Sequence, residues 1–294
     1  MLDAKDPYPR STATVNGLTM AYVEAGSGAP IVFLHGNPTH SYIWRNVIPY
    51  AEPLGRCIAP DLIGMGQSEK LPNSGPDRYT YDDQRTYLFG LLDALDLGDG
   101  VVLVLHDWGG ALGFDWARTN PERVRGIAFM EPMIMPLTWD MMPEPAVPAF
   151  QGFRAEGVGE KMCLEDNIFV EQVIPMAVMR DLGEDEMAAY RAPYPEPGEG
   201  RRPTLTWPRQ IPIEGEPADV AAVCEANCAF LAETAIPKLF VKAEPGMMAS
   251  GKVLEFCRSL PNVTEVAVPG LHYVQEDSAD RIGAALAEWI EGLD

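Results

Sequence analysis

The residue in this sequence most able to do chemistry is Asp107, which lies in the run Leu-Val-Leu-His-Asp-Trp-Gly-Gly at positions 103–110. The apolar residues 101–105 predict a strand buried on both faces, and Gly109 and Gly110 lead into a segment with helical spacing. The sequence therefore predicts a strand that turns sharply into a helix, with Asp107 at the apex. A carboxylate there is ionised at pH 7 and attacks an electrophilic carbon without help from a base. Taken alone, Asp107 also fits a helix N-cap, a position that Asp favours.

An alternation of strands and helices must position Asp107. The first two strands are joined by Asn16 and Gly17, which together are a strong signal for a tight hairpin turn. The later strands alternate with helices, which predicts a mainly parallel sheet of the α/β class. The predicted strands are 11–15, 18–24, 31–34, 56–60, 101–105, 124–130, 238–243 and 264–268. The predicted helices are 81–95, a helix after the elbow that reaches about residue 119, 252–259 and a terminal helix from about 280.

Residues 133–214 have a different composition, rich in Pro, Met and aromatic residues, with helical patterns at 167–179 and 184–191. Because this segment follows the strand 124–130, it lies at the carboxyl ends of the strands, where such sheets bind ligands. We therefore predict an α/β core domain made of residues 1–132 and 215–294, covered by a helical cap domain of residues 133–214.

The composition suits one large domain with an insertion, because 294 residues of which 47% are hydrophobic can bury a large core. The formal net charge of −21 argues against nucleic acid or an anionic membrane surface as a partner. The five cysteines are scattered, as is typical of reduced thiols in a cytosolic protein. Cys224 and Cys228 lie one helical turn apart with no His nearby in sequence, so we predict no metal site there. We find no signal-peptide pattern and no apolar run of membrane-spanning length, and we expect a cytoplasmic protein.

A strand-to-helix elbow with a reactive side chain at its apex is typical of α/β-hydrolases, in which nucleophile, acid and His follow in that order along the chain. Here the apex residue is Asp107 rather than Ser, and Leu105 stands where Gly is usual. Among the four histidines, only His272 lies in a loop after a late strand, so we predict that it is the catalytic His. We predict structural roles for His35 and His106.

The acid that orients His272 has two candidates. Glu131 ends the strand 124–130, and Glu244 ends the strand 238–243. From either position a carboxylate can reach the imidazole, fix its tautomer and stabilise the imidazolium. The residues alone leave the choice between the two open.

Four features of the chain occur together: His35-Gly36-Asn37-Pro38-Thr39, His106-Asp107-Trp108-Gly109-Gly110, Glu131 and His272. In this combination the sequence resembles the haloalkane dehalogenases of the α/β-hydrolase superfamily, over nearly the whole chain and including residues 202–213 of the predicted cap. The resemblance is closest to the subfamily whose acid is a Glu after the sixth strand, which favours Glu131 over Glu244. It implies the α/β-hydrolase fold, with a mainly parallel eight-stranded sheet flanked by helices and a helical cap.

The resemblance implies a hydrolase acting on carbon–halogen bonds. Asp107 would attack the substrate carbon, releasing halide and forming an alkyl ester, and His272 would then activate the water that hydrolyses this ester. Asn37 and Trp108 would bind the halide, because amide and indole N–H groups suit an ion that only accepts hydrogen bonds. Glu131 would orient His272. The implied partners are a small apolar halogenated substrate, water and the halide product, without cofactor or metal.

The resemblance also implies a mostly apolar pocket, suited to alkyl halides. The small residue at Ala177 predicts an open tunnel mouth. The implied lining residues are Phe150, Phe169, Ala177, Trp207, Ile211 and Met248.

Other proteins share parts of this pattern. Epoxide hydrolases have the same elbow and use cap tyrosines, for which Tyr190 and Tyr194 are the candidates, but they usually carry an aromatic residue in place of Asn37. Coelenterazine-type luciferases have similar site residues on the same fold, and light output against halide release separates them from dehalogenases. A receptor without catalysis is disfavoured, because every chemical role in the pattern is filled.

Overall fold

The computed structural model describes residues 3–293, and the strands in this part of the chain form one eight-stranded sheet. The strands are β1 Arg10–Val15, β2 Leu18–Ala25, β3 Pro30–Leu34, β4 Arg56–Pro60, β5 Val101–Asp107, β6 Val124–Pro132, β7 Lys238–Pro245 and β8 Val263–Gly270. Their order in the sheet is β1-β2-β4-β3-β5-β6-β7-β8, with β1 and β2 antiparallel to their neighbours and all other pairs parallel. The predicted α/β class and eight-stranded sheet are confirmed, and every predicted strand is found within two residues of its bounds.

Helices cover both faces of the sheet. Five further helices belong to the segment 133–217. In chain order the helices are α1 Ile48–Ala51, α2 Tyr81–Ala94, α3 Trp108–Thr119, α4 Val147–Arg154, α5 Val158–Glu160, α6 Ile174–Met176, α7 Glu184–Arg191, α8 Arg202–Gln210, α9 Ala218–Glu233, α10 Gly251–Ser259 and α11 Val274–Glu291. Short 3-10 turns and two π-helical turns, Lys161–Glu165 and Phe169–Val173, lie between them.

The alternation of side chains along β5 explains why the core has two parts. Val101, Leu103 and Leu105 pack into one apolar cluster with α2, α3, α9 and α10. Val102 and Val104 point to the opposite face and pack with α1 and α11. Because successive side chains of a strand alternate between faces, a continuous apolar run is what a strand covered on both sides requires. The predicted burial of this strand on both faces is therefore confirmed, with all seven residues of β5 buried.

The start of the terminal helix differs from the prediction. The sequence predicts a start near residue 280, but α11 begins at Val274 and is interrupted by a kink at Ser278, whose φ of −140° and ψ of 34° are not helical. The first turn is built from Gln275, Glu276 and Asp277, which are polar yet mostly buried, so it carries no apolar helical pattern in the sequence.

The segment 133–217 adds no strand to the sheet among the residues that the structure describes. A single bridge between Leu137 and Ile213 joins its two ends, and α4 to α8 lie between them. The helix predicted at 184–191 is α7, whereas the one predicted at 167–179 is a π-helical turn followed by the three residues of α6.

Within residues 3–293, none of the helices combines the length and the apolar character needed to cross a bilayer. The same residues hold no group of three or more His, Cys, Asp or Glu side chains that could bind a metal ion. All five cysteines are free thiols, and Cys228 alone among them is only half-buried.

Candidate active site

Asp107 lies at the end of β5 in a strained backbone conformation, with φ of 51° and ψ of −125°, and α3 begins at the next residue. The chain packs so closely around this turn that two neighbouring positions have no room for a side chain. A Cβ atom on Gly36 would overlap the Asp107 carboxylate, and one on Gly109 would overlap the carbonyl oxygen of Leu34. A left-handed φ at a residue that is not Gly is costly, and it persists where the surrounding structure fixes it. The elbow therefore presents one carboxylate at a fixed point.

The Asp107 carboxylate is held by the chain that surrounds it. The Asn37 N–H donates to Oδ2 of Asp107 at 2.8 Å. Burial raises the pKa of Asp107 above its ordinary value, while the charge of His272 and the N–H groups of Asn37 and Trp108 oppose that rise. The two N–H groups lie where they can also stabilise negative charge on this carboxyl group during a reaction.

His272 lies between two carboxylates. Its Nε2 is 3.8 Å from Oδ1 of Asp107, and its Nδ1 is 3.5 Å from Oε2 of Glu131. The carbonyl oxygen of His272 accepts a hydrogen bond of 2.8 Å from Nε2 of His106, and the Tyr273 hydroxyl donates to the carbonyl oxygen of Asn37 at 3.1 Å. The loop that bears His272 is thus fastened both to β5 and to the loop of Asn37.

Glu131 is fully buried. Its φ of 42° lies outside the range of a β-strand, so the chain bends at this residue. Its Oε2 accepts from the N–H groups of Met247 at 3.0 Å and Met248 at 2.6 Å, and its Oε1 accepts from Ala249 at 3.3 Å. Three backbone N–H groups therefore hold the Glu131 carboxylate in place, with its Oε2 facing Nδ1 of His272.

Glu244, the other candidate acid, lies elsewhere. Its side chain is 55% exposed and pairs with Lys242 at 2.6 Å. Of the two carboxylates, the structure brings Glu131 to His272.

The pKa of His272 depends on its burial and on the two carboxylates beside it. Burial acts to lower it, but the Glu131 carboxylate, 3.5 Å from Nδ1, and the negative charge of Asp107 outweigh burial and raise the pKa above its ordinary value of 6.5. His106 has no such partners, and burial together with nearby His272 holds its pKa well below 6.5. His106 is thus a neutral neighbour that donates a hydrogen bond, whereas His272 can gain and lose a proton.

Asn37, Asp107, Trp108 and His272 line one cavity, of about 80 Å³, whose other walls are apolar. Five of the six predicted pocket residues line it as well: Phe150, Phe169, Ala177, Ile211 and Met248. No sequence motif marks the remaining wall, although the part of it that lies in the insertion matches the Met- and Pro-rich composition of that segment. These further lining residues are Met142, Pro143, Ala146, Val173, Pro208, Met247 and Tyr273.

Trp207 is the exception, and the prediction that it lines the pocket needs correction. It is fully buried, and its ring stacks on that of Trp108, with ring centroids 4.4 Å apart and an angle of 26° between the planes. Trp207 is not among the residues that line the cavity. It therefore contacts the cavity wall from behind, where it restricts the orientation of Trp108.

The two histidines predicted to be structural bind backbone groups. Nδ1 of His35 lies 2.9 Å from the carbonyl oxygen of Gly36, and its Nε2 accepts from the N–H of Leu62 at 3.0 Å. His106, described above, supports the His272 loop. Neither ring lines the cavity.

Comparison with known proteins places this site in a family. A model of the α/β-hydrolase fold matches residues 29–164. A haloalkane dehalogenase of Sphingobium indicum is 55% identical over 99% of this chain and 98% of its own length, and one of Mycolicibacterium smegmatis is 53% identical over 99% of this chain and 94% of its own.

Solved structures agree with these relatives. The haloalkane dehalogenase of Bradyrhizobium elkani is 46% identical, with a TM-score of 0.91 over 97% of this chain and 98% of its own. That of Agrobacterium tumefaciens C58 is 35% identical, with a TM-score of 0.91 over 99% of both chains. The elbow of Asp107, the His272 loop and the apolar cavity thus occur in a chain that belongs to the haloalkane dehalogenase family, on the α/β-hydrolase fold.

Proposed function

We propose that this protein hydrolyses haloalkanes to an alcohol, a halide ion and a proton, through a covalent alkyl ester on Asp107. One observation carries the proposal: a buried carboxylate at a strained elbow faces an apolar cavity that it shares with Asn37, Trp108 and His272. Each of the two chemical steps then has a residue for every role. The substrate is a small apolar halogenated compound, because the rest of the wall offers mainly hydrocarbon and thioether surface.

In the first step, a carboxylate oxygen of Asp107 attacks the carbon that bears the halogen. The new carbon–oxygen bond forms as the carbon–halogen bond breaks, and the halide leaves with the bonding electron pair. The amide of Asn37 and the indole of Trp108 offer N–H donors in the same cavity, and they stabilise the charge that develops on the leaving atom. Ionised Asp107 needs no base for this attack.

In the second step, Nε2 of His272 takes a proton from water, and the water oxygen adds to the carboxyl carbon of the ester. The N–H groups of Asn37 and Trp108 stabilise the oxyanion that forms, as their contacts with the carboxylate indicate. The bond from the carboxyl carbon to the alkoxy oxygen then breaks, and the alcohol leaves with a proton. Glu131 stabilises the imidazolium of His272 while it exists.

Residues 133–214 act in this proposal as a cap domain on a core of residues 1–132 and 215–294. The insertion supplies Phe150, Phe169, Ala177 and Ile211 to the cavity, whereas the nucleophile, the His and both halide donors come from the core. A cap of this kind excludes bulk water and admits one apolar molecule. The small side chain of Ala177 supports an open tunnel mouth.

A reducing, cytoplasmic location is part of the same proposal. Four of the five cysteines are buried as free thiols, and burial raises the pKa of Cys57, Cys163, Cys224 and Cys257 to about 12. Such thiols serve as small apolar core residues, as is common in proteins of reducing compartments.

Epoxide hydrolysis is less well supported by the geometry, because it needs acidic hydroxyls in the cavity. The Tyr190 hydroxyl donates to Glu276, and the Tyr194 hydroxyl donates to the carbonyl oxygen of Pro38 at 3.3 Å. Neither tyrosine lines the cavity. Both side chains are instead buried, and their hydroxyl groups are engaged in hydrogen bonds to Glu276 and Pro38.

A halide-release panel tests the proposed function. The protein is mixed with chloro-, bromo- and iodoalkanes of several lengths, and free halide and alcohol are measured together with the protons released. We expect halide and alcohol in equal amounts from at least some of these compounds. Epoxides and coelenterazine are tested in parallel. Hydrolysis of epoxides or light emission without halide release would contradict the proposal.

Removal of either halide donor should slow the first step. Asn37→Ala and Trp108→Phe each take away one N–H group, and by analogy with oxyanion donors the rate of alkylation should fall roughly 10²–10³-fold. Hydrolysis of the ester should change less, because no halide departs in that step. Stopped-flow halide release measures the first step, and the tryptophan fluorescence change on adding bromide or iodide measures halide affinity. Unchanged halide affinity in both variants would mean that the ion binds elsewhere.

The hydrolysis step should depend on pH in a way that reveals the ester. In the free enzyme the charge of Asp107 helps to raise the pKa of His272, and esterification removes that charge. The pKa of His272 should therefore be lower in the alkyl-enzyme, so more of the neutral base is present at a given pH. We expect the pH midpoint of single-turnover hydrolysis to lie below the His272 midpoint measured by NMR in the free enzyme. Asp107→Asn should lower the latter too. A hydrolysis midpoint at or above that of the free enzyme would contradict this assignment.

A further inference from the structure

Asp277 joins the loop of His272 to the insertion. Its Oδ2 accepts from the N–H of Leu271 at 3.1 Å, and its Oδ1 accepts from the N–H groups of Met179 at 2.8 Å and Arg180 at 3.3 Å. Leu271 is the residue directly before His272. One carboxylate therefore holds both the backbone beside the catalytic base and the segment that follows Ala177.

The neighbouring contacts fasten the same two segments. The Tyr273 N–H donates to the carbonyl oxygen of Ala177 at 3.1 Å, so both residues next to His272 are tied to this region. The Arg180 guanidinium contacts Glu276, donating to its carbonyl oxygen at 2.5 Å and to its Oε2 at 2.7 Å. Glu276 is in turn fully buried against Arg45, at 2.6 Å. The turn that bears Asp277 is thus anchored by two arginines.

The kink of α11 makes this arrangement possible. Ser278 leaves the helical conformation, and its hydroxyl donates to the carbonyl oxygen of Pro269 at 2.6 Å. The first turn of α11 is therefore folded back on the start of the loop, where Asp277 reaches Leu271. Residues 269–278 form a closed loop around His272, with bonds from Asp277 and Ser278 across its neck.

We propose that Asp277 is a positioning residue for the hydrolysis step, which fixes the His272 loop against the insertion. The proposal rests on the proposed roles of Asp107 and His272. Asp277 is absent from the cavity lining, so it acts through the placement of His272. Attack by Asp107 needs no base, and it is insensitive to small shifts of that loop. Water activation requires the imidazole within hydrogen-bond reach of a water that is itself placed against the ester carboxyl carbon, and displacements near 1 Å can cost about 10²-fold in rate.

Asp277→Asn tests the proposal. A carboxylate has two acceptor oxygens and an amide has one, so the variant cannot accept from both sides of the loop at once. We expect the first-turnover burst of halide to stay within about threefold of the parent rate. Hydrolysis of the ester should slow roughly 10- to 100-fold, so that the alkyl-enzyme accumulates in the steady state. Rapid-quench halide assays and intact mass spectrometry measure the two steps, and the burst amplitude counts the folded active sites.

Two further variants complete the experiment. Asp83→Asn is the matched control, because Asp83 also accepts from a loop N–H, that of Tyr79 at 2.7 Å, and it lies outside the cavity. It should leave both steps within about twofold. Ser278→Ala removes only the bond to Pro269, and it should slow hydrolysis in the same sense as Asp277→Asn, but less.

A readout without turnover separates this proposal from the proposed function. Exchange of the Leu271 N–H with deuterium should accelerate in Asp277→Asn, and it should not in Asp83→Asn. Parent protein that releases no halide would overturn the proposed function, whatever the exchange shows. Equal loss of burst rate and hydrolysis rate in Asp277→Asn, or no loss in either, would overturn the positioning role.

Discussion

His272→Phe should release about one halide ion per active site and then stop, with the protein held as a stable alkyl ester. Asp107 lies 3.8 Å from Nε2 of His272 but needs no proton transfer before it attacks, so the first step should survive the loss of the imidazole. Water attack on the ester needs a general base, a contribution of roughly 10²–10⁴ in rate, and His272 is the base that faces the Asp107 carboxylate. Intact mass spectrometry after mixing with 1-bromobutane should find one added butyl group.

The site of the butyl group decides how this experiment is read. Digestion should place it on the peptide that contains Asp107, and Asp107→Ala should give neither a burst nor an adduct. An unmodified His272→Phe protein would show that this carboxylate is not the nucleophile. Steady turnover by the same variant would show that another group activates water.

The sheet could be predicted because the buried strands are visible in the sequence as short runs of apolar residues. The five apolar residues 101–105 need cover on both faces, and the two faces of β5 indeed pack into separate clusters. The apolar pattern predicts a strand that ends at Leu105, whereas β5 continues through the polar residues His106 and Asp107. The strand thus extends beyond the apolar pattern, because hydrogen bonds to His106 and Asp107 allow these polar side chains to be buried at its end.

Elements held by polar contacts were harder to predict. The first turn of α11 has no apolar pattern, and it is fixed by Asp277 and Ser278 through hydrogen bonds to distant backbone groups. Trp207 shows the same limit for the pocket, because an aromatic residue in the cap fits either the cavity wall or the layer behind it. Only the stacking on Trp108 distinguishes these two positions.

The structure is also needed to decide which of Glu131 and Glu244 lies beside His272. β6 and β7 are neighbours in the sheet and run parallel, so both carboxylates lie at the same edge, near the elbow. The residues alone therefore could not separate them. Backbone conformation does, because the positive φ of Glu131 accompanies a side chain that meets the N–H groups of 247–249, while Glu244 faces solvent.

Glu131→Gln should slow ester hydrolysis by roughly 10²–10⁴, the range for loss of effective general-base catalysis, and leave the halide burst nearly intact. The charge of Glu131 helps to raise the pKa of His272, and its loss removes the ion that stabilises the imidazolium formed when water is deprotonated. The Gln amide also places an N–H₂ group near three backbone N–H donors, which disturbs the orientation of the side chain. Burst and steady-state rates of halide release measure the two steps separately.

Glu244→Gln is the matched control, since it makes the same chemical change at the end of the neighbouring strand. Its carboxylate is paired with Lys242 and half exposed, so hydrolysis should stay within a few-fold of the parent rate, as expected for a surface ion pair. Thermal unfolding of both variants separates loss of fold from loss of chemistry, because the buried Glu131 has more contacts to lose. Equal losses of hydrolysis in the two variants, or a larger loss at Glu244, would assign the acid differently. A marked loss with Glu131→Gln alone would show that a fixed charge beside Nδ1 of His272 sustains the second step.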